Sequence, residues 1–170
     1  MDLYLIRHAE AVDLGEQGIE QDEDRPLTDV GLAQAQLVAK CLQNLNIQLD
    51  AVLTSPYLRA RQTAETILQY WSEPLPKLVE CEDLAIGGKR RKIARVTTKQ
   101  GGESVALVGH EPDISSLAAW LIGSAKAQIR FAKAGIAYIR CSLPAKGTGT
   151  LMWLVTPAWQ GNVPSPTAVK

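Results

Sequence analysis

The chain holds two histidines in 170 residues, and both stand where chemistry is usually placed. His8 follows the apolar run Leu3-Tyr4-Leu5-Ile6 and is preceded by Arg7; His110 follows Ser104–Gly109 and is succeeded by Glu111-Pro112. In each case a strand-like run ends and the chain turns. Open α/β folds place their reactive groups at the carboxyl ends of strands. A histidine at such a position can serve as nucleophile, as acid or base, or as metal ligand. Arg7 and Arg59 add planar forks of donors that match the oxygens of a phosphoryl group. Transfer of that group is mostly positioning and charge stabilisation, which is what these residue types supply.

Helical spacing separates Arg59 from Arg61. At 100° per residue the two point about 200° apart, so one helix cannot aim both at one site. Arg59 shares its face with Thr63 and Thr66, and Ala60, Ala64, Ile67 and Trp71 form the apolar face. Arg59 is therefore the site candidate and Arg61 either a surface residue or one that stands behind the site. A metal site is not expected, because the two histidines have no third ligand at a recognisable spacing and the arginines would repel a cation.

The elements that must position these residues alternate between strand and helix, which predicts an α/β fold. Strands are expected at Leu3–Ile6, Asp50–Thr54 and Ser104–Gly109, with a short extended piece at Val79–Leu84. Thr28 is placed to N-cap a helix reaching Asn44, with Leu32, Ala35, Val38, Ala39, Leu42 and Leu45 at helical spacing. Ser55-Pro56 reads as a cap followed by proline at the first helical position, opening a helix to about Trp71. Lys89–Gln100 reads as a further helix, and Pro112 opens another with Ile114, Leu117, Ala118 and Leu121 on one face. Gly135–Leu143 and Thr150–Val155 form a closing hairpin. Residues 1–156 are read as one domain and 157–170, with three prolines, as a tail that frays or lies over the surface.

Composition narrows the class. The formal net charge is zero, against a general nucleic-acid binder. No apolar stretch approaches the ~20 residues needed to span a bilayer. Met1-Asp2 leads straight into a strand, so export is not expected, and a cytoplasmic location follows. Cys41, Cys81 and Cys141 are odd in number and widely spaced, which fits buried free thiols rather than a disulfide framework.

Four segments in order carry a family likeness: Leu5-Ile6-Arg7-His8-Ala9-Glu10, Arg25-Pro26-Leu27-Thr28 with Gly31, Thr54–Ala64, and Val108-Gly109-His110-Glu111-Pro112. Together they resemble the motifs of the histidine phosphatase superfamily, and the sequence is most similar to its short phosphohistidine phosphatase branch. The resemblance covers most of residues 1–155. It implies a three-layer α/β/α sandwich with a mostly parallel sheet, as in phosphoglycerate mutases, and one antiparallel strand from the hairpin. It implies a phosphohistidine at His8, attacked by water, with Arg7, Arg59 and His110 binding phosphoryl oxygens and no cofactor or metal.

Mutase-like relatives place an acidic residue between the second arginine motif and the second histidine. Glu80, Glu82 and Asp83 are the candidates for a general acid, and the match to the family there is poor. An imidazole leaving group can depart neutral after protonation near physiological pH, so it needs less help from an acid than an alkoxide does. The expected function is therefore a metal-independent phosphatase acting on phosphohistidine in a partner protein, as a monomer. Two other readings stay open: a small phosphomonoesterase or mutase-like enzyme on metabolites, and a non-catalytic phosphoprotein-binding module. Eight acidic residues against Arg25 lie over Glu10–Asp29, and six basic residues lie over Lys89–Lys99. Both read as solvated faces, with docking of a protein substrate as the alternative.

Overall fold

The computed structural model describes residues 1–124 and 126–160. Among these residues, six strands form one sheet: β1 (Asp2–Arg7), β2 (Ala51–Thr54), β3 (Lys77–Glu80), β4 (Ser104–Gly109), β5 (Ile136–Cys141) and β6 (Gly149–Val155). Their order across the sheet is β3-β2-β4-β1-β5-β6. The first four in that order run parallel, and β5 is antiparallel to both β1 and β6. β1 and β4 lie at the centre with helices over both faces, which is why each reads as an unbroken apolar run rather than an alternating one.

Among the described residues, four α-helices cover the sheet: α1 (Asp29–Asn44), α2 (Leu58–Gln69), α3 (Arg90–Gln100) and α4 (Asp113–Leu121). The alternation of side chains along β1 divides the core in two. Tyr4 and Ile6 pack with Val38, Leu42, Ala64 and Ile67 of α1 and α2. Leu3 and Leu5 pack on the other face with Ile93, Ile114, Leu117 and Leu121 of α3 and α4. The result is a three-layer α/β/α sandwich with a mostly parallel sheet, as anticipated.

Thr28 caps α1 through a hydrogen bond that its hydroxyl accepts from Gly31 N–H at 3.0 Å. A Cβ on Gly31 would stand 2.0 Å from the Glu10 carbonyl oxygen, so only glycine lets the first turn of α1 approach the chain behind His8. Three local expectations need correction. α2 begins at Leu58 with Tyr57 as its cap, not at Pro56. The Ser55 hydroxyl accepts from Tyr57 N–H at 3.2 Å and meets His110, so it serves the site instead of the helix end. The strand expected at Val79–Leu84 lies earlier, because its pairing with β2 sets Ala51 opposite Lys77, and Glu82–Leu84 is a single 3-10 turn. Pro112 precedes α4 as its cap instead of opening its first turn.

Cys81 and Cys141 are buried, Cys41 is half-buried, and all three are free. A 3-10 turn at Pro157–Gln160 lies near α1; the remainder of the segment read as a tail falls outside the described residues. Among the described residues, no helix is long and apolar enough to cross a membrane.

Candidate active site

Strand register builds the centre of the site. β1 and β4 are parallel neighbours with Arg7 opposite Gly109, so the next residue on each strand is a histidine. His8 N–H donates to the Gly109 carbonyl at 2.9 Å, and the two imidazole rings lie 5.0 Å apart. β2 adds Ser55 at the same edge, its N–H bonded to the Val108 carbonyl at 3.0 Å. Arg59, in the first turn of α2, reaches back over this edge.

His8 is 7% exposed. Its Nδ1 lies 2.7 Å from the Ala9 carbonyl oxygen, an atom that can only accept, so the ring hydrogen is on Nδ1 and the lone pair on Nε2. Arg59 Nε donates to that lone pair at 3.3 Å. Burial drives the His8 pKa down to about 3; the bond to Ala9 opposes this, and the charges of His110, Arg59 and Arg7 add to it. At neutral pH the ring is therefore uncharged with its lone pair on Nε2, the state a nucleophile requires.

His110 is 1% exposed and is held neutral in the same way, its pKa lowered to about 3 by burial and by Arg59. Its Nε2 lies 2.8 Å from the Ser55 hydroxyl oxygen. Ser55 is fully buried; its oxygen already accepts from Tyr57 N–H, and among the described residues no acceptor other than Nε2 lies within reach of its hydroxyl hydrogen. Ser55 therefore donates to Nε2, and the His110 hydrogen resides on Nδ1. Tyr57 packs against the His110 ring with centroids 5.0 Å apart.

Arg7 donates through one terminal nitrogen to the Phe131 carbonyl at 2.9 Å. Burial lowers its pKa; Glu111 opposes that shift, and Arg130 and Arg59 add to it. Among the described residues, two buried side-chain nitrogens have no hydrogen-bond partner: Arg7 Nε and His110 Nδ1. Leaving such a group unpaired costs about 1–3 kcal/mol each. Both belong to residues that the sequence marks for an anion.

The structure brings Arg7, His8, Arg59 and His110 together and leaves Arg61 outside. Arg61 is exposed and 3.8 Å from Glu65 one turn on. The three carboxyls considered as acids are not hydrogen-bonded to any of the four. Glu80 and Glu82 are exposed, and Glu82 lines a cleft of about 410 Å³ with Glu23, Asp24, Tyr57 and Arg61. Asp83 accepts from Lys89 N–H at 3.3 Å and lies 3.9 Å from Lys92 Nζ. Among the described residues, no cluster of three or more His, Cys, Asp or Glu side chains is placed to hold a metal ion.

Sequence reasoning missed three further participants. Ser55 fixes the His110 tautomer. Thr63 joins α2 to the chain after His8, its hydroxyl accepting from Ala9 N–H at 3.1 Å and donating to the Arg59 carbonyl at 2.7 Å. Asp22 binds Arg59 across 37 residues of chain at 2.8 Å. Thr63 on the Arg59 face was the one visible signal; nothing in the local pattern distinguishes Asp22 from its acidic neighbours.

A mostly parallel sheet whose carboxyl edge holds two neutral histidines beside a buried arginine, Arg59, and a half-buried one, Arg7, is the phosphoglycerate mutase-like arrangement. The chain belongs to the histidine phosphatase superfamily (branch 1), whose family model matches residues 3–88. It is 30% identical over 162 residues to the phosphohistidine phosphatase SixA of Escherichia coli, covering 92% of this chain and 94% of that one. An uncharacterized protein of Picosynechococcus is 34% identical over 165 residues, 94% of this chain and 98% of its own length. The solved structure of the protein histidine phosphatase SixA complexed with tungstate superposes with a TM-score of 0.81 at 27% identity, covering 93% of this chain and 98% of that one. Members of this superfamily are phosphatases, and the likeness to SixA supports a hydrolase.

Proposed function

We propose that the protein removes phosphoryl groups from histidine in a partner protein, through a covalent phosphohistidine at His8 and without a metal. The observation that carries this reading is the pair of buried, unpartnered nitrogens, Arg7 Nε and His110 Nδ1. A tetrahedral oxyanion offers acceptors to both and recovers what their burial costs. The relative whose structure holds tungstate, itself a tetrahedral oxyanion, supports the same ligand chemistry.

In the first step His8 Nε2 attacks phosphorus with its lone pair. The P–N bond of the substrate breaks and its electrons return to the leaving imidazole, which takes a proton from solvent. Arg7, Arg59 and the Nδ1–H of His110 meet the charge on the three outer oxygens as the phosphoryl group transfers. In the second step water attacks phosphorus and the His8 P–N bond breaks, releasing phosphate and restoring the neutral ring. Among the described residues no carboxyl is hydrogen-bonded to the His8 ring, and a phosphoramidate needs none, because imidazole is a far less basic leaving group than an alkoxide. The name of the Escherichia coli relative points to the same substrate class.

Rapid-quench labelling with a phosphohistidine protein and peptide mapping is the test. We expect the label on His8 and no turnover by a folded His8→Ala variant. Label on His110, or faster turnover of sugar phosphates than of phosphohistidine, would replace this reading with a metabolite phosphomonoesterase.

A further inference from the structure

We propose that Asp22 is a positioning residue for Arg59, and that it turns the Nε edge of that guanidinium toward the phosphoryl site. The inference rests on the reading of Arg59 as a phosphoryl ligand.

Arg59 has a side chain only 3% exposed, so the direction of its donors is decided by what holds them. Its two terminal nitrogens are both engaged by one residue: NH1 donates to the Asp22 carbonyl oxygen and NH2 to Asp22 Oδ2 at 2.8 Å. A guanidinium is planar, with five N–H groups in a fixed fork. Tying its distal end fixes the plane and leaves Nε facing His8 Nε2 at 3.3 Å. The nucleophile and the arginine that would meet its phosphoryl group are thus aligned before any substrate arrives.

Asp22 is itself held. Its second oxygen, Oδ1, accepts from Arg25 NH1 at 2.9 Å. Arg25 is pinned in turn, donating through Nε to the Val12 carbonyl at 2.6 Å and through NH2 to Asp13 at 3.2 Å. Two residues after Arg25, Leu27 N–H donates to Gln62 Oε1 on α2 at 2.7 Å, so the same segment grips the helix at a second point. Burial tends to raise the Asp22 carboxyl, but Arg25 and Arg59 outweigh it and hold the group below the usual carboxylate range. The arginine of the Arg25-Pro26-Leu27-Thr28 segment therefore reaches the nucleophile through two intermediaries, Asp22 and Arg59. A carboxylate lodged in the phosphoryl group's own place would instead take the Nε edge; Asp22 takes the opposite one.

Orthovanadate, a tetrahedral oxyanion, tests this without any assumption about the natural substrate. Its binding to the full chain is measured by calorimetry for wild type, Asp22→Asn, Arg59→Ala and the double variant, with thermal melting to establish folding. We expect Asp22→Asn to weaken vanadate by about tenfold or more, the range seen when an outer partner stops orienting a ligand. In the Arg59→Ala background the same change should have almost no further effect, because nothing is left to orient. Arg25→Lys leaves the carboxylate in place and should show the same pattern at smaller amplitude; it carries the test if Asp22→Asn does not fold. Equal or tighter vanadate binding by Asp22→Asn would overturn the proposal, as would an undiminished loss in the Arg59→Ala background. Wild-type binding by Arg59→Ala alone would instead remove the phosphoryl role of Arg59 itself.

Discussion

Two neutral histidines set how this protein responds to acid. Both rings have pKa values lowered to about 3, while an unfolded chain takes a proton on each near 6.5. Below that pH the unfolded state binds more protons than the folded one, so stability falls as pH drops from about 6.5 toward 3. The loss approaches about 1.4 kcal/mol per pH unit for each ring. With two histidines in the chain, two ring resonances report the effect directly. Neither should titrate between pH 8 and 5 by NMR, and the chemical-denaturation midpoint should fall steadily below pH 6. A ring titrating near 6.5 would mean that its neutral state is not enforced by burial. At this scale Arg7, His8, Arg59 and His110 were legible in the sequence, because strand ends and helix faces are local patterns. Asp22 and Ser55 were not, since each gains its role from a neighbour that only the folded chain supplies.

Element boundaries were legible where capping chemistry marks them. Thr28 opens α1 as the sequence indicates, since its hydroxyl acts on Gly31 three residues on, whereas the missing side chain of Gly31 makes room for Glu10, distant in the chain. Ser55 misled for the opposite reason: a good cap in sequence, it is engaged by His110 from another strand. β3 was misplaced because it is an edge strand, largely exposed, with little apolar alternation to read. Gly31→Ala gives the element-scale prediction. The added methyl would stand 2.0 Å from the Glu10 carbonyl, a backbone atom that cannot rotate away. The start of α1 must then move off the segment behind His8, against an overpacking cost of roughly 1–3 kcal/mol. A lower melting temperature together with reduced kcat/KM is expected. Unchanged melting would mean that α1 shifts without resistance.

At the scale of the molecule, the three-layer arrangement followed from the alternation of strand-like and helix-like segments, whereas the strand order could not be read, because pairing is long-range. That order has a consequence for how the chain folds. β1, made first, touches neither β2 nor β3; its neighbours are β4 and β5, more than a hundred residues later. As the polypeptide leaves the ribosome, Arg7, His8 and Arg59 are all synthesised before any strand exists for β1 to join. β4 must insert between β1 and β2, and that one event completes the parallel core and brings the second histidine to the first. Topologies closed by such distant contacts fold slowly, since loop entropy is spent before pairing rewards it. A fragment ending at Gly101 should therefore lack cooperative thermal unfolding and show collapsed amide dispersion, despite carrying three of the four site residues. A native-like spectrum from that fragment would show that β1 finds an early partner. Until β4 emerges, the nascent chain carries His8 at the end of an unpaired apolar strand, the form in which it is most exposed to aggregation and to chaperones.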